Sequence, residues 1–260
     1  MKEIKFEILL QNLLNDYVQQ VDPVVSKNFE SLTDSELSAD AFSFYTSVSA
    51  VFSSKIEGED IELDSFIKHK KWDVKFLPDH TRKIDDLYDA YQFAKIIPLD
   101  SVAINEAHIL LTKNILQKAQ RAKLRTGNMF VTTPDGKIEY VACTPSEVKG
   151  EMDKLYHDIS ALLSAKLKFE ETLFFASMIH LIFVKIHPFN DGNGRTARLL
   201  EKWFMAQKLG PKAWFVQSEK YYYEHHQTYY KNIRKMGLEY ERLDYSQAMP
   251  FLLMLPGSLQ

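Results

Sequence analysis

The chain has 260 residues, 45% of them hydrophobic and 26% charged, with a net charge of −3. These values fit a globular protein large enough to bury a real core. They give no basic excess that would point to nucleic acid or an anionic membrane surface. The one cysteine, Cys143, rules out an internal disulfide framework and a four-cysteine zinc site. The longest apolar run, Leu173 to Ile186, falls short of the roughly 20 residues that span a bilayer. The N-terminus mixes Lys2, Glu3, Lys5 and Glu7 with apolar residues, unlike a signal peptide. The expectation is a cytoplasmic protein with no membrane and no nucleic-acid partner.

Apolar residues at helical spacing predict a helix over about 3–20, which Pro23 ends or restarts. Asp40 to Ser54 reads as a helix apolar over most of its circumference, hence buried between neighbours, ending at Glu57-Gly58. A short helix follows over Ile61–Lys70, with Lys71–Pro78 as a loop. Further helices are expected over Ile84–Ile97, broken by Pro98, and over Ile104–Ile115, where His108 falls on the apolar face as a core residue. Met129–Val141 holds the one convincing strand pair, two β-rich segments around Asp135-Gly136. A lone hairpin must lean on helices or act as a flap. Helices return over Ser146–Leu163, Phe169–Ile186, Leu199–Leu209, 219–236 and Ser246–Leu255. The fold class is mainly α, with a short β-hairpin.

The densest chemistry lies in His187-Pro188-Phe189-Asn190-Asp191-Gly192-Asn193-Gly194-Arg195-Thr196-Ala197-Arg198. Pro188 biases His187 away from the α conformation and stops the preceding helix. Asp191 to Gly194 is a turn opening onto the next helix, whose N-terminal N–H groups and dipole favour anions. Arg195 and Arg198, three apart, face one side and suit bidentate phosphate contacts. Two cations there oppose the dipole unless a polyanion binds. Asp191 beside such a nest makes sense with a divalent cation between them. His187 is the one nearby group suited to general-base work. His180 reads as core, His225 and His226 point apart, and the Tyr221–Tyr230 cluster reads as helix packing.

These twelve residues match the whole H-P-F-x-[DE]-G-N-G-R-x-x-R signature, and the chain resembles the Fic family of the Fic/Doc superfamily from roughly Ile104 to Ile233. The resemblance implies a Fic-type helical bundle with a flap at about 128–142, and transfer of AMP from ATP to a hydroxyl of a target protein. It implies His187 as base and Phe189 as loop anchor. It implies Asp191 as ligand of Mg²⁺, with Gly192, Asn193 (backbone and side chain) and Gly194 on the α- and β-phosphates. Arg195 would meet the β-phosphate and Arg198 the γ-phosphate. Gly194 stands where the kinase branch typically carries lysine. Ser53-Ser54-Lys55-Ile56-Glu57-Gly58 matches the family's [ST]-x-x-x-E-[GN] inhibitory motif. Glu57 would then occupy Arg198. This gives an N-terminal helical region over 1–100, with the inhibitory helix at about 40–58, and a catalytic region over 101–260. Two other readings stand beside it: removal of AMP from a modified protein by the same site, and a non-catalytic interaction module. Relief of that inhibition is expected from a partner or from self-association.

Overall fold

The architecture comes from a computed structural model that describes residues 4–32, 41–72, 74–75, 78–132 and 138–260. Its helices are α1 (Leu14–Gln20), α2 (Val24–Ser31), α3 (Ala41–Ile56), α4 (Leu63–Trp72), α5 (Pro78–Ile96) and α6 (Ser101–Leu111) before the hairpin. The hairpin strands are β1 (Phe130–Thr132) and β2 (Ile138–Val141). After it come α7 (Pro145–Ser164), α8 (Phe169–Ile186), α9 (Asn193–Leu209), α10 (Ser218–Glu224) and α11 (His226–Arg234), then the one-turn α12 (Met249–Leu252) and α13 (Met254–Gly257). The mainly helical class with one small sheet is as expected. No helix among the described residues is long and apolar enough to cross a membrane.

The centre of the bundle is α8, in which every side chain from Thr172 to Ile186 is buried. Its start is set by Glu171, whose carboxylate accepts from the Lys168 N–H at 2.7 Å. α8 packs chiefly against α9, and one hydrophobic cluster runs from Leu9 to Leu259. The α3 helix lies between α5 and α10. It buries Val48 and Val51, but also Ser49, Ser53 and Ser54. The buried hydroxyls have a reason in the case of Ser49. It accepts from the Lys202 ammonium at 2.6 Å, and that ammonium also reaches Glu219 at 2.5 Å, with both charges fully buried. Such a pair tolerates no loss of one partner, so the middle of α3 is tied firmly to α9 and α10.

The single helix expected over 3–20 is overturned, since helix begins only at Leu14. The backbone N–H groups of Glu7, Ile8 and Leu9 instead donate to the buried Asp158 carboxylate of α7, at 2.9, 2.9 and 2.8 Å. Leu9 meanwhile sinks into the core, and the half-buried Phe6 packs on it against Phe175. A buried anion taking three successive donors outweighs the modest local preference for helix. Pro23 does restart the chain, as the cap of α2. The 219–236 helix is in fact two, divided at His225. The His225 ring stacks on Tyr221 at 4.1 Å and its Nδ1 bonds the Tyr221 carbonyl at 2.9 Å, competing with the helix ladder. The last helix is likewise split, into α12 and α13, with Leu253 between them.

β1 and β2 pair antiparallel, Phe130 with Val141 and Val131 with Tyr140. The Asp135-Gly136 turn lies outside the described residues. β2 is seated from its other side: the Val141 N–H donates to the Leu238 carbonyl at 2.7 Å, and the buried Glu139 pairs with Arg234 of α11.

Candidate active site

α8 ends at His187, which takes the left-handed conformation (φ 52°, ψ 61°). Pro188 disfavours α-helix there, as expected, but the left-handed cap is an addition that an imidazole-bearing residue adopts only when its surroundings hold it. Arg125 does the holding. Its guanidinium donates to the carbonyls of His187 at 2.7 Å, Ile186 at 3.1 Å, Gly127 at 2.8 Å, and to that of Cys143. Its own N–H donates to the Pro188 carbonyl at 2.9 Å. Arg125 is buried, and its charge lies against the negative end of α8. Burial pulls its pKa below the ordinary guanidinium value. The sequence offered no sign of this role.

The loop after His187 is braced from within. Phe189 is fully buried and stacks on His108 at 3.8 Å between ring centres. His108 was expected only to fill the core. It does so, and also accepts from the Ala122 N–H at 2.9 Å while its Nε2 meets the Asp191 carbonyl at 3.0 Å. Nδ1 therefore accepts and Nε2 donates. Burial pulls this imidazole down to about 4, so it serves as a neutral strut. The Asn193 side chain forms a reciprocal pair with Phe189, taking its N–H and giving to its carbonyl, both at 2.9 Å. This pair shapes the loop and uses one of the amide's two N–H groups and one of its two oxygen lone pairs.

α9 starts at Asn193, six residues earlier than the apolar pattern indicates. Gly192 caps it with φ 80°, and a Cβ there would stand 2.7 Å from Thr112 Cγ2. Only glycine fits. Asp191 is exposed, and its Oδ1 accepts from the Gly192 N–H at 2.5 Å. The first-turn N–H groups of α9 have no partner within their own helix.

Both arginines face this turn. Arg195 is 5% exposed, and its Nε and Nη1 have no hydrogen-bond partner among the described residues. Buried guanidinium donors are seldom left so. Arg198 is fully engaged from α3: Nε donates to Ser53 Oγ at 2.8 Å, and Nη2 to the Ser53 carbonyl at 3.0 Å and to Glu57 Oε1 at 2.6 Å. Burial alone would raise the Glu57 pKa, but Arg198 and then Arg195 more than offset it, so Glu57 lies below the usual carboxylate range. Burial likewise opposes the Arg198 charge, and Glu57 reverses the sign, raising its pKa. Gly194 makes the contact possible, because a Cβ at that position would stand 2.5 Å from Glu57 Oε1. Beneath Arg198, Tyr229 bonds His180 at 2.9 Å, and His180 in turn meets Glu201 at 2.8 Å. His180 is a core residue with both ring nitrogens partnered.

His187 Nδ1 lies 3.1 Å from the Tyr140 hydroxyl and 3.3 Å from the Val184 carbonyl. Burial pulls the imidazole down to about 4, against the Val184 carbonyl, which favours the charged form. The ring is neutral at neutral pH and able to accept a proton. Among the described residues, no three His, Cys, Asp or Glu side chains cluster as a metal-binding group.

A helical bundle with a braced His-to-Arg loop defines the class, and residues 98–205 match the model of the Fic/DOC family. That match covers less than half of the chain, and α3 with Glu57 lies outside it. A Fic family protein from Desulfovibrio desulfuricans G20 shares the fold with a TM-score of 0.77 at 16% identity, over 98% of this chain and 74% of that one. A Fic domain containing signaling protein from Bacteroides thetaiotaomicron VPI-5482 aligns with a TM-score of 0.67 at 17% identity, over 95% and 91%. Fic-1 from C. elegans (aa134–508) aligns at 0.62 and 17%, over 96% and 68%. In sequence, the ribonucleoside-diphosphate reductase small chain of Ostreid herpesvirus 1 (isolate France) is 36% identical over 101 residues, 36% of this chain. This chain spans 17% of the length of that relative.

Proposed function

We propose that this protein transfers AMP from ATP to a hydroxyl side chain of a target protein, and that Glu57 holds it inactive. The observation that carries the reading is the unequal state of two buried arginines on one turn of helix. Arg198 is taken by Glu57 and Ser53, and Arg195 keeps two donors unpaired. A chain of phosphates fits both, Arg195 toward the β-phosphate and Arg198 toward the γ-phosphate once Glu57 withdraws. The α9 N-terminus over Asn193 and Gly194 would hold the α- and β-phosphate oxygens through backbone N–H groups, joined by that of Gly192 once the Asp191 carboxylate turns to a cation.

In the reaction, the target hydroxyl oxygen bonds to the α-phosphorus while the bond from that phosphorus to the bridging oxygen breaks, and pyrophosphate leaves. His187 takes the hydroxyl proton on Nε2. Asp191 fits Mg²⁺ only jointly with the nucleotide: it offers one exposed carboxylate, in keeping with an ion that keeps waters and binds through one or two carboxylates plus phosphates. When bound, the ion would neutralise phosphate charge. Pyrophosphate departure leaves Arg195 and Arg198 holding the developing charge.

A second reading uses the same residues in reverse, with Glu57 orienting water to hydrolyse an AMP-modified target. It is favoured by one observation: the Glu57 side chain stays 25% exposed while it touches Arg198. Pre-modified target incubated without ATP separates the two directions.

Calorimetric titration with ATP and Mg²⁺ tests the nucleotide site itself. A charge-assisted hydrogen bond is worth about 1.5–3 kcal/mol. Glu57→Gly should therefore tighten ATP by about ten- to a hundred-fold, and Arg195→Ala should weaken it in either background. Equal affinities across all three variants would contradict the reading.

A further inference from the structure

His187 Nδ1 faces two groups of unequal hydrogen-bonding capacity. The Val184 carbonyl, 3.3 Å away, only accepts. The Tyr140 hydroxyl, 3.1 Å away, accepts or donates. One arrangement alone satisfies both contacts: Nδ1 carries the hydrogen, the carbonyl and the hydroxyl share it, and the lone pair sits on Nε2. Were Tyr140 to donate to Nδ1, the ring hydrogen would move to Nε2 and the Val184 carbonyl would face a lone pair.

Tyr140 is well placed to hold that arrangement. It is 3% exposed on β2, the strand anchored through Glu139 to Arg234 and through Val141 to Leu238. The Lys185 ammonium sits 4.5 Å from its ring centre and donates to the Gly237 carbonyl at 3.2 Å, fixing the ring from the α8 side. Burial raises the Tyr140 pKa well above its usual value, so the hydroxyl stays neutral. Phe130 and Ile138 of the hairpin point into solvent, whereas Tyr140 turns inward.

We propose that Tyr140 is a positioning residue for the transfer reaction: with the Val184 carbonyl it fixes His187 as the Nδ1–H tautomer, leaving Nε2 as the proton acceptor. The hairpin thereby serves the base directly, whatever else its exposed edge meets. This rests on the reading of His187 as the base.

The test is nitrogen-15 NMR of histidine-labelled protein near neutral pH, with the His187 signals assigned by their loss in His187→Gln. Wild type is expected to show a protonated, pyrrole-type Nδ1 and a pyridine-type Nε2. Tyr140→Phe, which keeps the ring under Lys185, is expected to show an exchanging mixture of tautomers. In the Glu57→Gly background, Tyr140→Phe should lower kcat by about ten-fold or more with KM for ATP unchanged, since positioned proton transfer supplies about a hundred-fold or more. An Nε2–H tautomer in wild type, or the same tautomer in wild type and Tyr140→Phe, overturns the proposal. So does a raised KM with kcat unchanged. The NMR result needs no turnover. A Glu57→Gly protein that transfers nothing would count against the proposed activity and leave the tautomer to be judged on its own signals.

Discussion

Replacing Arg125 with Met tests whether the end of α8 is held by one buried guanidinium. Met keeps much of the volume and removes every donor. Four carbonyls lose a partner, but Gly127 is exposed and water can replace its bond, which leaves those of Cys143, Ile186 and His187. Each stranded acceptor costs about 1–3 kcal/mol. Removing a charge that sits in the core with no carboxylate partner among the described residues returns part of that cost. The net expectation is a loss of about 3 kcal/mol in urea unfolding, or a melting midpoint lower by about 8 °C for a chain of this size. Arg125→Lys should recover little, because an ammonium cannot reach carbonyls spread across the end of α8 and the segment before α7. A loss below about 1 kcal/mol in the Met variant, or full recovery by Lys, would refute the reasoning.

Gly194→Ala should expel Glu57 from Arg198, since the new Cβ would lie 2.5 Å from Glu57 Oε1. In a stability cycle, Glu57→Gly should then cost about 1 kcal/mol less in the Gly194→Ala background than in wild type; additive effects would show that the two residues do not contend for space. Asp158→Asn should free the N-terminal segment, because an amide offers one acceptor where the carboxylate takes N–H groups from Glu7, Ile8 and Leu9. Hydrogen exchange at the Ile8 and Leu9 amides should speed up by at least about ten-fold, equivalent to about 1.4 kcal/mol of local opening. Unchanged protection there would mean that the segment is held by Phe6 and Leu9 packing alone.

What could be read from the sequence was what depends on neighbours along the chain. The limits of α8 follow from its apolar run and Pro188, and the turn through Gly192 follows from residues that tolerate positive φ. The pairing of Glu57 with Arg198, expected from the two motifs, is present at 2.6 Å. Features set by distant partners were hidden. Arg125 acts on carbonyls some sixty positions away, and nothing in its own neighbourhood announces that. The N-terminal stretch has helical spacing but is drawn out of helix by Asp158, about 150 positions later. The bonds of the Asn193 amide to the Phe189 backbone were also hidden, because they depend on where α9 starts. The early start of α9 was masked because Asn-Gly-Arg carries no apolar signal, although a helix N-terminus needs none.

The most direct test of the central claim is transfer of α-phosphate-labelled AMP to protein from ATP and Mg²⁺, in a cell lysate and on the enzyme itself. Wild type should label weakly, Glu57→Gly strongly, and Glu57→Gly with His187→Ala not at all; γ-phosphate label should not transfer. Labelling by Glu57→Gly no greater than by wild type, or undiminished without His187, would contradict the account.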